Sequence, residues 1–261
     1  MNLSLKDKYA IICGSTQGIG LAIAQELALM GANCTLVARN EITLKEAVAS
    51  LYCADNQQHR YLVADFSQSE QVKNTIHQHV EKYPVQILVN NTGGPPAGPI
   101  ATADPATFMQ YFEQHVVCNQ ILSQACIPSM KAAGYGRIIN IISTSVKIPL
   151  NNLGVSNTIR GAVASWSKTL ANEIGQFGIT VNNILPGFTK TQRLFSLIDT
   201  IAAGKNISAA MVSDTMEAEV PAKRFGTAQE IANVAAFLAT PAAAYVNGTN
   251  IPVDGGRTGS M

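Results

Sequence analysis

The chain has 261 residues, with 18 Lys and Arg against 17 Asp and Glu, a formal charge of +1. That balance leaves no electrostatic footprint for nucleic acid or for an anionic membrane surface. Charged residues make up only 13% and apolar ones 47%, a composition that suits a buried parallel sheet and a subunit interface.

Cys13, Cys34, Cys53, Cys118 and Cys126 are scattered without C-x-x-C spacing. They are read as buried small apolar residues rather than as a disulfide framework or a zinc site, and no metal is expected. The start, with Lys6, Asp7 and Lys8, shows no signal-peptide pattern, and no apolar run reaches the ~18 residues of a transmembrane helix. The expectation is a soluble, cytoplasmic protein forming one domain over residues 1–261.

In chain order, Tyr9–Cys13 reads as a strand and Gly18–Met30 as a helix closed by Gly31. Asn33–Ala38 is a second strand, followed by a helix through Leu44, Ala47, Val48 and Leu51. A third strand at Arg60–Ala64 leads to a helix through Val72, Ile76 and Val80. Val85–Val89 is a fourth strand that runs into the loop Asn90-Asn91-Thr92-Gly93-Gly94-Pro95-Pro96. Two helices are expected between Pro105 and Ala133, then an apolar strand at Arg137–Ile142 and a long helix from about Ser156 to Phe177. A strand at Ile179–Leu185, a last helix at Ala228–Leu238 and a closing strand at Thr249–Val253 complete the series. Apolar strands alternating with helices demand a parallel sheet covered on both faces, and right-handed crossovers make it doubly wound. Only 188–220, helical and apolar, falls outside the pattern. It is read as an insertion at the carboxyl edge of the sheet, on the substrate side.

Gly14-Ser15-Thr16-Gln17-Gly18-Ile19-Gly20 follows the first strand and opens the first helix. Glycines there allow a tight turn and close approach of a pyrophosphate to the unpaired amides of the helix N-terminus. The G-x-x-x-G-x-G spacing is similar to that of the short-chain dehydrogenase/reductase family, which the sequence resembles from end to end. Asp65 and Phe66 after the third strand, Asn90-Asn91-Thr92-Gly93, Pro186-Gly187 with Thr189 and Thr191, and Val253-Asp254-Gly255-Gly256 carry the resemblance. It implies a Rossmann-type sheet, with the adenine near Asp65 and Phe66, Asn91 to Gly93 beside the cofactor, and Pro186 to Thr191 holding the nicotinamide amide. Taken alone, Asp65 is also a helix cap and Asn90 a turn residue.

The second strand ends Val37-Ala38-Arg39, where an NAD site usually places an acid. Arg39 suits the 2′-phosphate of NADP(H), or is a solvated surface residue, and Glu41 keeps NAD(H) in play. For catalysis the resemblance implies an asparagine, a serine, and a tyrosine with a lysine four residues on. Asn119 and Ser143 stand in the first two places, but the third falls on Ser156 and the fourth on Arg160. None of the seven tyrosines has a lysine four residues later. A serine hydroxyl is a far weaker acid than a phenol titrating near ~10, whereas Arg160 keeps a positive charge and a fork for ribose hydroxyls. Lys147, in the loop after Ser143, is read either as a solvated lysine or as a relocated acid–base group. His115 is read as a packed, satisfied histidine, and Lys168 as a surface or interface residue.

The expected function is therefore that of an NADP(H)-linked oxidoreductase with altered proton transfer, acting on a small or acyl-chain carbonyl; 3-oxoacyl-carrier-protein reductases are the resemblance within the family. The alternatives are a catalytically silent dinucleotide-binding sensor or partner subunit, and a lyase or isomerase with a structural cofactor. A homotetramer is expected from the stripe Ile159, Val163, Trp166 and Leu170 and from the resemblance.

Overall fold

The computed structural model describes residues 1–54 and 56–259. Seven strands, β1 (Tyr9–Cys13), β2 (Asn33–Ala38), β3 (Arg60–Val63), β4 (Ile87–Asn90), β5 (Gly136–Ile141), β6 (Ile179–Pro186) and β7 (Asn250–Val253), form one sheet in the order β3-β2-β1-β4-β5-β6-β7. Every pairing is parallel, so the expected doubly wound Rossmann-type sheet is the observed one. The order reverses between β1 and β4, which opens a crevice at their carboxyl ends.

Each strand alternates its side chains between two apolar layers. Ala10 and Ile12 of β1 face helices α1 (Gly18–Leu29) and α9 (Ala228–Ala239), which meet through Ala24, Leu27, Ala28, Ile231 and Ala235. Ile11 and Cys13 face the opposite layer, built by α3 (Ser69–Val80), α5 (Cys118–Ala133) and α6 (Gly154–Ile174) through Ile76, Leu122, Met130 and Ala171. Helix α2 (Glu41–Ala49) completes the first layer with Leu44 and Ala47.

Several boundaries differ from the sequence pattern for local reasons. Val85 leaves the ladder because both of its backbone groups bond to Ser129 Oγ, at 3.1 and 2.8 Å. The long helix begins two residues before Ser156, and its last stretch tightens into a 3₁₀ turn over Gly175–Phe177. The helices between Pro105 and Ala133 are α4 (Pro105–Phe112) and α5, joined without a break by a π-helical segment at Glu113–Val117. Cys53 is exposed, correcting the reading of all five cysteines as buried; the other four are buried. Between β6 and α9 lie α7 (Gln192–Lys205) and α8 (Ala209–Ala218), capped by Thr191 and Ser208. They enclose a small apolar cluster of Leu194, Ile198, Ala202, Val212 and Met216 with Phe225.

One polar feature crosses the buried sheet. Asn90, Asn140, Asn183 and Asn250 occupy paired positions on β4, β5, β6 and β7. Asn90 Nδ2 donates to Asn140 Oδ1 (2.8 Å), Asn140 Nδ2 to Asn183 Oδ1 (2.9 Å), and Asn183 Nδ2 to Asn250 Oδ1 (2.7 Å). Asn140 Nδ2 also donates to Ser167 Oγ of α6 at 3.2 Å. Each amide polarises the next, and loss of a middle member leaves buried partners unpaired. Asn140→Leu is expected to destabilise the fold by roughly 3 kcal/mol or more, measured by urea unfolding. A loss of under about 1 kcal/mol would show that the ladder contributes little.

Candidate active site

The turn after β1 is shaped by what its glycines lack. A Cβ on Gly20 would lie 2.1 Å from Gly14 O and 2.7 Å from Asn91 Nδ2, and one on Gly14 would lie 2.4 Å from Asn91 O. Gly14 also holds φ +57°, the left-handed region that glycine enters freely. Asn91, just after β4, donates from Nδ2 to Cys13 O (3.2 Å) and Gly14 O (3.1 Å), fastening the two sides of the crevice. Ser15 is buried, and its Oγ accepts from Val37 N at 3.1 Å. Thr16, Gln17, Gly18 and Ile19 continue from the turn into the start of α1, with Gln17 at the N-cap. Asn91 and Ser15 shape the cradle with their side chains.

Arg39 is exposed at the end of β2, and among the described residues its side chain makes no hydrogen bond or ion pair. Asn40 beside it caps α2 by accepting from Thr43 N at 3.1 Å. Asp65 Oδ1 accepts from Ser67 N at 2.9 Å, closing its own turn, and Phe66 O accepts from the Cys118 thiol. Pro186 ends β6, and Gly187 N donates to Val253 O at 3.0 Å. Thr189 is buried, with Oγ1 donating to Gly187 O (3.1 Å); Thr191 caps α7 through Leu194 N (3.4 Å).

On the chemical side, Ser143 follows β5 in extended backbone, and its Oγ accepts from Ser145 N at 3.1 Å to cap a 3₁₀ turn. Asn119, buried, is the second residue of α5, directly after the π-helical segment. Ser156 and Arg160 are buried one turn apart on α6. Arg160 Nη1 donates to Ile141 O at 3.0 Å, which places the guanidinium at the carboxyl end of β5, two residues before Ser143. Lys147 is half-buried after the 3₁₀ turn and makes no side-chain hydrogen bond or ion pair among the described residues. A cavity of about 200 Å³ opens beside that turn, lined by Thr144, Ile148, Leu150, Glu219, Arg257 and Thr258. Lys147 is outside that lining, and Arg257 pairs with Glu219 at 3.2 Å across it. Lys168 is exposed, as expected of a surface or interface residue.

Two residues stand differently from their sequence reading. His115 is buried but satisfied on one nitrogen only: Nδ1 lies 2.7 Å from Thr92 Oγ1 and Nε2 has no partner. Its ring stacks on Tyr111 at 6.2 Å between centroids. Arg193, unremarked in the sequence, reaches from the first turn of α7 to Gly94 O (3.1 Å) and Pro95 O (3.2 Å). Its only signal is the glycine pair Gly93-Gly94, where a bare backbone invites a close approach.

With the geometry in place, the comparisons are consistent with one another. The profile of the enoyl-(acyl carrier protein) reductase family matches residues 14–258. The 3-oxoacyl-[acyl-carrier-protein] reductase FabG of Escherichia coli (strain K12) is 34% identical over 256 residues, with 97% of this chain and 98% of the relative covered. The uncharacterized oxidoreductase YvrD of Bacillus subtilis (strain 168) is 32% identical over 266 residues and all of both chains. Among solved structures, L-sorbose reductase from Gluconobacter frateurii, complexed with NADPH and L-sorbose, superposes with a TM-score of 0.93 at 31% identity over the whole of both chains. The chain belongs to the short-chain dehydrogenase/reductase family of NAD(P)-dependent oxidoreductases.

The site also sets a pH dependence. Burial, with Arg160 and Arg193 nearby, pushes His115 down to about 2, and burial with Arg60 nearby pushes His79 down to about 4, from an ordinary 6.5. Both are neutral in the fold at neutral pH. As the pH falls below 6.5 the unfolded chain takes up protons that the folded chain refuses, so stability present above 6.5 is lost, by up to about 1.4 kcal/mol per unit for each histidine. Urea unfolding between pH 7.5 and 5 is expected to show this fall, and His115→Gln should remove about one proton from the slope. An unchanged slope in that variant would mean that His115 is not the group.

Proposed function

We propose that the chain is an NADP(H)-dependent oxidoreductase acting on a carbonyl or alcohol, with a proton-transfer arrangement unlike that of its relatives. The observation that carries this reading is the cradle at the topological switch point: Gly14 and Gly20 admit no side chain, and the unpaired amides of α1 face the crevice where a pyrophosphate binds. A Cβ on Gly93 would meet nothing within 4 Å, so the facing wall is open to a ligand. Arg39 supports the phosphorylated dinucleotide through charge-assisted bonds. The FabG relatives, and the NADPH-bound structure of L-sorbose reductase, favour the same cofactor.

Bound there, the nicotinamide supplies or accepts a hydride. In this reading the protein's part is orientation and charge. Gly14 to Gly20 and Arg39 hold the dinucleotide, and Asp65, Phe66, Asn91 to Gly93, Pro186, Gly187, Thr189 and Thr191 shape its walls. Ser143 donates a hydrogen bond to the substrate oxygen, Asn119 orders the proton path behind it, and Arg160 offsets negative charge developing on that oxygen. Ser156 is too weak an acid to replace a phenol, so the proton comes by way of solvent or Lys147. The serine–arginine pair equally favours a second reading, a protein that binds the dinucleotide without turnover. The stripe Ile159, Val163, Trp166 and Leu170, from which a homotetramer is expected, packs into the chain's own core. A homo-oligomer finds its support instead in the exposed Met109, Phe112 and Val117 along α4 and the segment that follows it.

Two outcomes are expected. NADPH binds more tightly than NADH in fluorescence titration, and Arg39→Asp reverses the preference by ~1–3 kcal/mol. Equal parent affinities would defeat the assignment. Ser156→Tyr with Arg160→Lys raises turnover of simple ketones toward the ~10²–10⁴-fold that general acid catalysis contributes, while either change alone does not. A double variant that folds, binds NADPH and stays inert on every ketone would leave the non-catalytic reading ahead.

A further inference from the structure

Arg160 and Arg193 converge on one bare stretch of backbone, with no carboxylate paired to either among the described residues. A Cβ on Gly94 would lie 2.8 Å from Arg193 Nη2 and 3.0 Å from Arg160 Nη2, so the two guanidinium groups flank a single point. Arg160 is buried, while Arg193 is exposed to solvent on its outer side. Four ion pairs occur among the described residues, Lys45–Glu41, Lys73–Glu70, Arg224–Glu230 and Arg257–Glu219, and neither arginine takes part in any of them. Burial and the neighbouring Arg193 lower Arg160 only to about 10, so both groups are cations at neutral pH. Beside them His115 Nε2 is buried without a partner, on an imidazole that is neutral at that pH.

Two like charges held together in a partly dry site cost free energy unless an anion joins them. The dinucleotide's own anions are provided for elsewhere, at the α1 N-terminus and at Arg39. Arg160 sits against Ile141 O, two residues from Ser143, and Arg193 against Gly94 O and Pro95 O. A planar carboxylate matches a guanidinium fork in shape and charge. We propose that the space between Arg160, Arg193 and Gly94 binds the carboxylate of a short oxo-acid, whose carbonyl then faces Ser143. The inference rests on the oxidoreductase reading for the role of that carbonyl, while the anion site stands on the arginines alone. Arg193, on the first turn of α7, also makes the carboxylate a tether between the insertion and the loop after β4.

Oxamate and levulinate serve as probes, with oxamide and 2-pentanone as their neutral counterparts. Binding is measured by calorimetry and thermal shift on the protein with and without NADP⁺. At least one acid is expected to bind about tenfold or more tightly than its neutral counterpart. Arg193→Met should abolish that preference with NADPH affinity within about threefold of the parent, and Arg193→Lys should keep part of it. Arg193 is exposed at a helix start, and the ligand-free melting temperature of each variant reports on folding. Equal binding of acid and neutral compound, or no binding of either acid, overturns the proposal. Loss of NADPH affinity in Arg193→Met also overturns it, since the pair would then be a cofactor clamp. Oxamate is not a substrate for carbonyl reduction, so the two readings fail separately. Oxamate binding without turnover of any oxo-acid leaves the anion site standing and removes the reductase. Reduction of neutral ketones with no response to acids does the reverse.

Discussion

The side-chain amide of Asn91, together with the carbonyls of Gly14 and Asn91, occupies the space that side chains on Gly14 and Gly20 would need, and the rest of the site follows from that occupancy. Its two hydrogen bonds to Cys13 O and Gly14 O join the ends of β1 and β4 at the point where the sheet changes direction. A parallel sheet leaves its carboxyl ends splayed at such a point, and a single side chain bridging both strand ends fixes the width of the crevice. The turn, the start of α1 and the loop Thr92–Pro95 then hold their positions relative to one another. That rigidity lets backbone amides and two arginines act as preformed partners for a ligand.

The asparagine ladder extends the same constraint across the sheet. It begins at Asn90, immediately before Asn91, and runs through β5 and β6 to β7. A buried apolar strand permits small register errors of similar energy, but an amide that must meet another amide permits one register only. The ladder therefore fixes the level of β5, and so the places of Ile141, Ser143 and the cavity beyond. Its branch to Ser167 sets α6 against β5, and α6 carries Ser156 and Arg160.

What the sequence made legible was whatever depends on local pattern. Periodicity placed the seven strands to within a few residues, because central strands such as Ile87–Asn90 are buried on both faces and read as apolar runs. The glycine turn was legible because its chemistry sits on adjacent residues. The ladder was not, since Asn90, Asn140, Asn183 and Asn250 meet only once register is known. His115 read as a satisfied core residue, because nothing local shows that Thr92 reaches Nδ1 alone. Arg193 was silent for the same reason: its partners are carbonyls of Gly94 and Pro95, almost a hundred residues away in the chain.

Arg160, standing where the family resemblance implies a lysine, gives the site an electrostatic character that its net charge does not convey. An ammonium beside a phenol lends it acidity and can itself pass a proton. A guanidinium does neither at neutral pH, even lowered by burial, and instead presents a fixed planar fork. With Ser156 one turn away, this face of α6 carries a hydroxyl and a permanent cation. Arg193 adds a second cation from the first turn of α7, and His115 contributes a neutral ring rather than a third charge. In the proposed function a site so composed stabilises negative charge well and delivers protons poorly. On the proposed reading its substrate brings the anion with it, and the slow step shifts from charge stabilisation to protonation. On that reading the identity of the substrate is written in the two arginines, which take part in no ion pair among the described residues.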